Sequence, residues 1–273
     1  MTAIEWTDAT WNPVTGCDRI SPGCDHCYAL TMAGRLKLMG QPKYQADGDP
    51  RTSGPGFAVT CHPSELARPA TWRRPRMVFV NSMSDLFHQD VTDGFIGSTW
   101  NTMALTPRHT YQVLTKRSER MRRLMSVWYA AGSFRDHRMR WVNPPELPLP
   151  PPELPLPNVW LGTSIESDRY TFRADHLRAT PAAVRFLSLE PLLGPLPSLD
   201  LTGIDWVIIG CESGPGARLM DLDWVSQIID KARHAGAAVF VKQLHLNGST
   251  RAVKDVERFP RWAQARQYPK AAA

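Results

Sequence analysis

Short apolar runs recur along this chain, and each one ends in small or polar residues. Runs of this length that are apolar throughout are typical of strands buried on both faces, as in a parallel sheet. The runs cover residues 57–60, 77–80, 110–114, 159–161, 184–187, 206–209 and 238–241. A weaker eighth candidate covers residues 4–11. The pattern therefore predicts seven or eight buried strands.

Amphipathic helices alternate with several of these strands. Their apolar residues recur at the i, i+3, i+4, i+7 spacing of one helix face. The sets are Ala29, Met32, Ala33 and Leu36 before Gly40; Met121, Leu124, Met125 and Trp128 after Ser118; and Val225, Ile228, Ile229 and Ala232 between Asp221 and Gly236. Strands alternating with helices predict repeated βα units, and hence an α/β fold with a complete or partial TIM-type (β/α)-barrel of parallel strands. An open doubly wound sheet is the alternative.

The 273 residues are expected to form a single α/β domain. Its main irregularity is the sequence Pro-Glu-Leu-Pro-Leu-Pro, which occurs twice within residues 144–158. Proline at this density excludes helix and central strand, so we expect an extended surface insertion there. No apolar run is long enough to cross a membrane, and the first residues lack a signal-peptide pattern. We therefore expect a cytoplasmic protein with no membrane partner.

Three of the five cysteines, Cys17, Cys24 and Cys27, lie close together near the start of the chain. A disulfide framework spreads cysteines more widely and pairs them evenly, so this clustering favours a metal centre. The Cys-x-x-Cys end lets two thiolates meet at one centre. The longer first gap forms a loop, within residues 12–28, that can surround something larger than one ion. A structural zinc site completed by His26 or His62 is the alternative.

The end of this motif resembles the radical S-adenosylmethionine (SAM) superfamily. The residues that match the second half of the superfamily's three-cysteine signature are Cys24, His26, Cys27 and Tyr28. The resemblance implies a [4Fe-4S] cluster on Cys17, Cys24 and Cys27, with one iron left open to bind SAM and pass it an electron. It also implies an electron donor such as flavodoxin or ferredoxin.

A second resemblance covers most of the chain. Its motifs are Ile-Glu-Trp-Thr-Asp at residues 4–8, Trp-Asn-Pro at 11–13, Thr-Gly-Cys at 15–17, Gly-Cys-Asp-His-Cys-Tyr-Ala at 23–29 and Asn-Ser-Met-Ser-Asp-Leu-Phe at 81–87. With these motifs the chain is similar to a phage and prophage family of unknown function. That family brings no established reaction. It implies a phage or mobile-element setting, in which modification or repair of nucleic acid is a reasonable activity.

Polar residues follow nearly every predicted strand. The carboxyl ends of parallel strands form one rim of a barrel, where such enzymes place their active sites, so these residues are candidates for the site. Those expected to bind the cofactor are Ser82, Ser84, Asp85, Thr163, Ser164, Glu166 and Glu190. The candidates for a proton donor or an electrostatic clamp are Lys116, Glu212 and Lys242.

The net charge of +6 suits contact with nucleic acid. Basic residues with interleaved tryptophans form three groups, at residues 72–76, 116–128 and 135–141. A glycine-rich turn at residues 210–218, which ends in Arg218, is a candidate anion cradle. The preferred hypothesis is a radical SAM enzyme that acts on a nucleotide or nucleic acid. The alternative is a zinc-stabilised, non-catalytic nucleic-acid-binding protein.

Overall fold

The computed structural model describes residues 4–131 and 154–270, and within them it contains nine strands and five α-helices. The strands are β1 (Ala9–Trp11), β2 (Val14–Thr15), β3 (Thr60–Cys61), β4 (Met77–Val80), β5 (Thr110–Thr115), β6 (Val159–Ser164), β7 (Val184–Leu189), β8 (Trp206–Gly210) and β9 (Ala238–Gln243). The helices are α1 (Tyr28–Leu38), α2 (Asp93–Leu105), α3 (Ser118–Ala130), α4 (Phe172–Arg178) and α5 (Leu222–Ala235). Strands and helices thus alternate along much of the chain, as the sequence pattern predicts.

Seven of the strands form one parallel sheet in the order β1-β4-β5-β6-β7-β8-β9. Each strand pairs, in parallel, with the next sheet strand along the chain. A doubly wound sheet reverses its strand order at a switch point. The sheet has no such point within the described residues, so the doubly wound alternative is wrong. The sheet curls into half of a barrel, which confirms a mixed α/β fold with a partial barrel.

The two faces of the sheet pack into separate hydrophobic clusters. On the face covered by helices, Val78 and Val80 of β4 pack with Trp100 of α2 and other apolar residues. The opposite, concave face carries an aromatic cluster of Trp6, Phe79, Trp160, Val184, Phe186, Trp206, Ile208 and Phe240. Side chains alternate between the faces along a strand, so the neighbours Val78 and Phe79 belong to different clusters. The aromatic cluster fills the amino-terminal part of the half-barrel and leaves the carboxyl ends to polar residues.

The prediction is wrong for one strand of the sheet. The run at residues 57–60 yields only β3, which pairs antiparallel with β2 in a separate two-stranded ribbon. Gly54 and Gly56, both with positive φ, lie before this strand and Pro63 lies after it, which limits its length. The weaker candidate at residues 4–11 instead supplies β1, the first strand of the sheet. The other six runs give β4 to β9, and each strand begins at the predicted residue.

The end of the chain packs along the outer edge of β9. The backbone N–H of Val241 donates to the Ala265 carbonyl at 2.8 Å, and that of Gln267 donates to the Val239 carbonyl at 2.9 Å. The indole N–H of Trp206 also donates to the Gln267 carbonyl, at 2.9 Å. An uncovered strand edge offers its N–H and C=O groups to other chains. The terminal segment therefore protects this edge of the half-barrel.

The predicted proline-rich insertion at residues 144–158 lies largely outside the described residues, as does the basic group at residues 135–141. Its last residues, 154–158, lead into β6, and Leu156 is buried in the main core. Among the residues that the structure describes, no helix is both long enough and apolar enough to cross a membrane.

Candidate functional site

A cavity of about 230 Å³ opens at the carboxyl ends of the sheet strands. Most of the residues predicted for the site line it: Cys17, Cys24, Cys27, Ser82, Ser84, Asp85, Lys116, Ser164, Glu190, Glu212 and Lys242. They come together because the strands are parallel, so the segments that follow different strands meet at one edge. Trp6 and Phe79 of the aromatic cluster supply part of the apolar wall.

The structure places Thr163 and Glu166 outside the cavity wall. Side chains alternate along β6, so Ser164 lines the cavity, while the Thr163 hydroxyl donates to the Thr115 carbonyl at 2.8 Å. Glu166 is fully buried and forms an ion pair with Arg173 at 3.0 Å. Both side chains therefore have partners within the protein and hold neighbouring segments together.

Local backbone requirements fix the loop that carries the cysteines. Gly16 has a φ of +85°, and a Cβ atom there would lie 2.1 Å from the Ala58 carbonyl oxygen, so only glycine fits directly before Cys17. A 3-10 turn at Pro22–Cys24 then bends the chain, and Cys27 is the last residue before α1. The cysteines thus lie at the start, at the turn and at the end of one loop.

A basic side chain from the end of β5 contacts Cys17. Arg117 Nη1 lies 3.3 Å from Cys17 Sγ and 3.3 Å from Asp85 Oδ2. Burial, together with the nearby Asp85 carboxylate, raises the pKa of the Cys17 thiol to about 12, although Arg117 acts in the opposite direction. The thiol is therefore protonated at neutral pH, and a metal centre must displace its proton. Arg117 is the cation placed to stabilise the resulting thiolate.

Asp85 joins the ends of β4 and β5. One of its carboxylate oxygens accepts hydrogen bonds from the Phe87 N–H at 2.9 Å and the Thr115 hydroxyl at 2.7 Å. The other oxygen accepts hydrogen bonds from the Lys116 N–H at 3.1 Å and from Arg117. The side chain is buried, and its role in this arrangement is to orient Arg117 towards the cysteine loop.

Glu212, which follows β8, connects the glycine-rich turn to the cysteine loop. It accepts hydrogen bonds from the Arg218 backbone at 2.8 Å and side chain at 2.9 Å, and His26 Nδ1 lies 3.0 Å from the same oxygen. Burial opposes ionisation, but the bonds from Arg218 and His26 outweigh it and hold the pKa of Glu212 at about 2. Arg218 also donates to the Pro22 carbonyl at 2.8 Å and pairs with Asp25 at 3.5 Å. Arg218 is thus engaged within the protein, unlike the free cation expected of an anion cradle.

A second ion pair spans the ends of β7 and β9. Lys242 Nζ lies 2.5 Å from Glu190 Oε1, and Gln243 Nε2 lies 3.5 Å from the same oxygen. On the strand between them, a Cβ atom at Gly210 would lie 3.2 Å from the Glu190 side chain, so the glycine gives the carboxylate room. Both charged groups line the cavity, where they can form hydrogen bonds to a bound ligand.

The sequence pattern does not mark Trp6 and Asn12 as site residues. Trp6 lines the cavity, and its indole N–H is buried without a partner in the described part of the chain. The side-chain oxygen of Asn12 accepts hydrogen bonds from the Met83 N–H at 3.1 Å and the Ser82 hydroxyl at 3.2 Å. Neither side chain is charged, and neither residue lies at the spacing of a metal-ligand motif. Their membership of the Ile-Glu-Trp and Trp-Asn-Pro motifs is the one signal that points to them.

The basic groups predicted to contact nucleic acid do not meet at the cavity. Residues 73–76 precede β4 and so lie at the amino end of the sheet, opposite the cysteines. Arg120 pairs with Asp93 at 2.6 Å and also donates to backbone carbonyls. Among the described members of these groups, only Lys116 and Arg117 line the cavity.

The ligand atoms of the three cysteines are not gathered as tightly as those of a single-ion site. Within the described residues, the one set of three His, Cys, Asp or Glu side chains whose ligand atoms all lie within 4.8 Å of one another is Asp18, His88 and Asp90. Asp18 lies 3.0 Å from His88 Nε2, and Asp90 lies 3.6 Å from His88 Nδ1. Because the carboxylates approach different ring nitrogens, this set orients His88 and does not form the shell of one ion.

Comparisons with known proteins match this chain to a family. No curated protein and no solved structure matches it. One family model, described as "Protein of unknown function (DUF5131)", matches residues 1–268. A family of unknown function is what the long motifs predict, while the phage setting stays a prediction. Since the match extends over nearly the whole sequence, the chain belongs to the DUF5131 family.

Proposed function

We propose that this protein is a radical SAM enzyme with a [4Fe-4S] cluster on Cys17, Cys24 and Cys27, built on a partial TIM-type barrel. One observation carries the proposal: the cysteine loop and polar residues at the carboxyl ends of β4 to β9 line the same cavity. Barrel enzymes place their active sites at this end of the strands. A purely structural metal site does not require a ligand cavity beside it.

The donor set fits an iron–sulfur cluster. Such clusters are held by cysteine thiolates. Three thiols line one cavity here, and Arg117 lies 3.3 Å from Cys17 to offset its negative charge. A zinc ion about 2.3 Å from each sulfur would hold tetrahedral ligands about 3.8 Å apart. The three sulfur atoms are not all within 4.8 Å of one another, so they do not form the shell of a single tetrahedral ion.

The surrounding side chains have defined roles under this proposal. Cys17, Cys24 and Cys27 would hold the cluster, which would supply the electron for reductive cleavage of SAM. Arg117, oriented by Asp85, neutralises the charge of the Cys17 thiolate. The aromatic cluster excludes water from the inner end of the cavity. The Glu190–Lys242 pair places a hydrogen-bond donor and an acceptor beside the bound ligand.

The substrate class that we assign is a nucleotide or nucleic acid. The net charge of +6 supports an anionic substrate. The proposed cleavage consumes an electron from outside the chain, so a flavodoxin or ferredoxin is its partner. A cytoplasmic, phage or mobile-element setting belongs to the same proposal.

Anaerobic reconstitution with iron and sulfide tests the cluster. Wild-type protein should bind about four irons per chain, and Cys24→Ala should lose them because it removes a thiolate ligand. Cys61→Ala is the matched control, since Cys61 lies outside the cavity wall and should leave the iron content unchanged. Iron and acid-labile sulfide are measured on each protein after gel filtration.

Two results of this experiment contradict the proposal. The first is stoichiometric zinc with no uptake of iron, which would instead support a zinc-stabilised nucleic-acid-binding protein. The second is equal iron uptake by wild type and Cys24→Ala, which would show that the iron is bound elsewhere.

A further inference from the structure

Three polar side chains form a row across the wall of the cavity. Ser164 of β6 is paired in register with Ser188 of β7. The pairing of β5 with β6 ends with Thr115 opposite Thr163. The next residues, Lys116 and Ser164, therefore lie level with each other. Neighbouring strands are about 4.8 Å apart, so the row of Lys116, Ser164 and Ser188 spans roughly 10 Å.

The row has no polar partner in the part of the chain that the structure describes. Ser164 and Ser188 are only 4% and 3% exposed and both line the cavity, and neither hydroxyl forms a hydrogen bond within the described residues. Lys116 Nζ forms no ion pair there, whereas the other cavity lysine, Lys242, is paired with Glu190. The row therefore offers one ammonium group and two hydroxyl groups to a ligand.

The surface beneath the row is apolar. Two residues earlier on the same strands, the same face carries Leu114, Gly162 and Phe186. A Cβ atom at Gly162 would lie 2.5 Å from the Phe186 ring, so the glycine makes room for the ring. An apolar floor lowers the local dielectric constant, which strengthens the attraction between Lys116 and an anion.

We propose that the row of Lys116, Ser164 and Ser188 binds the phosphate group of a nucleotide substrate. The row has three donor side chains, and a phosphate group presents three acceptor oxygens where a carboxylate presents two. The inference rests on the proposed function in one respect. There Cys17, Cys24 and Cys27 would hold the cluster and SAM would bind beside it, so the row, including Ser164, which the sequence assigns to the cofactor, is assigned here to the substrate.

Calorimetric titration of the full-length protein tests this row without requiring turnover. The probes are the four ribonucleoside 5′-monophosphates, the matching nucleosides, inorganic phosphate and acetate. At least one nucleotide should bind, its nucleoside should bind about tenfold more weakly or worse, and phosphate but not acetate should displace the nucleotide.

Variants connect this binding to the row. Lys116→Met should weaken nucleotide binding about tenfold or more, because it removes the charge while keeping the length of the side chain. The double variant Ser164→Ala/Ser188→Ala should also weaken binding, with the nucleoside unaffected. Lys254→Met is the control, since Lys254 is half exposed, pairs with Glu5 outside the cavity and should leave affinity unchanged.

The inference is overturned if no nucleotide binds, if nucleosides bind as tightly as nucleotides, or if Lys116→Met binds nucleotide as wild type does. Displacement by acetate as readily as by phosphate would also overturn it, in favour of a carboxylate ligand.

Titrations with and without the reconstituted cluster separate this inference from the proposed function. Nucleotide binding by a protein that takes up no iron defeats only the enzyme proposal. SAM cleavage by a protein that shows no phosphate-dependent nucleotide binding would contradict only the phosphate-binding role of the row.

Discussion

Asp85 is a buried carboxylate that accepts hydrogen bonds from Phe87, Thr115, Lys116 and Arg117. Asp85→Ala leaves these donors unpaired, so it should lower the free energy of unfolding by about 3 kcal/mol, besides impairing binding of the proposed cluster. Glu190→Ala is the matched comparison. Glu190 is partly exposed and pairs mainly with Lys242, so its loss should cost about 1 kcal/mol. Urea denaturation measures the free energy of unfolding of both variants. Equal losses of stability in Asp85→Ala and Glu190→Ala would contradict the role given to Asp85.

Glu212 gives the protein a predictable response to acid. Its pKa of about 2 in the folded state is below its ordinary value of 4.5, so the ionised form stabilises the fold. This contribution is complete above about pH 5 and is lost as the pH falls towards 2. Glu212→Gln should therefore flatten the decline in urea midpoint over that range.

The control for Glu212 is Glu257→Gln, which changes an exposed carboxylate distant from the cavity. Its urea midpoint should follow the wild-type curve. If Glu212→Gln also follows the wild-type curve between pH 5 and pH 2.5, the Arg218 contacts do not stabilise the ionised carboxylate.

At the residue scale, spacing along the chain identifies the cysteines but not the groups that hold them. Arg117 contacts Cys17 from 100 positions away, and no local pattern encodes that contact. Thr163 lies within β6 and only Glu166 follows that strand, and alternation along β6 and an ion pair with Arg173 keep both side chains from the cavity wall. Which of several polar residues after a strand line a site depends on side-chain direction, which the sequence leaves open.

The cysteine loop is the element on which the site depends, and Gly16 is its least replaceable position. Gly16→Ala should cost on the order of 3 kcal/mol and reduce iron uptake, because the new Cβ atom meets the Ala58 carbonyl and φ is positive. Gly34→Ala in α1 is the control. It has no atom within 4 Å of its Cβ position and should gain up to about 1 kcal/mol.

Thermal unfolding and iron content of both glycine variants are the measurements. Gly16→Ala with wild-type stability would show that the loop tolerates another path. Normal stability of Gly16→Ala combined with lost iron would mean that the substitution disturbs only the cysteine loop. That result would contradict the clash with the Ala58 carbonyl.

Elements with long apolar runs or amphipathic patterns can be predicted from the sequence, whereas very short elements cannot. α5 ends at Gly236, which has a φ of +75°, as its C-cap pattern predicts. By contrast β1 has three residues and β3 has two, so the local pattern cannot decide which of them joins the sheet. Contacts with β4 and β2, which are distant in sequence, decide it.

At the scale of the whole molecule, the half-barrel depends on the segment that covers β9. A chain ending at Ala263 lacks the hydrogen bonds of Ala265 and Gln267 to this strand. It should unfold at lower urea concentration and aggregate, because the exposed edge offers unpaired N–H and C=O groups. A chain ending at Lys270 keeps these contacts and should behave as the full chain does. Light scattering that rises equally for the chains ending at Ala263 and at Lys270 would contradict the protection of the β9 edge by the terminal segment.

The alternation of strands and helices predicts the order of the sheet, because consecutive βα units wind in one direction. It does not predict how far the barrel closes. That extent depends on the inner aromatic cluster, in which Trp6 contacts Phe79 and Trp206 although they are distant in sequence. The position of the cavity at the rim was thus predictable, whereas its shape was not.

The central claim is that the cysteine loop supports radical chemistry on SAM, and the release of 5′-deoxyadenosine tests it most directly. Reconstituted, chemically reduced protein should convert SAM to methionine and 5′-deoxyadenosine, and Cys24→Ala should not. Chromatography of the quenched reaction quantifies both products. A protein that carries its full complement of iron, binds SAM and still releases no 5′-deoxyadenosine with any reductant would contradict the claim.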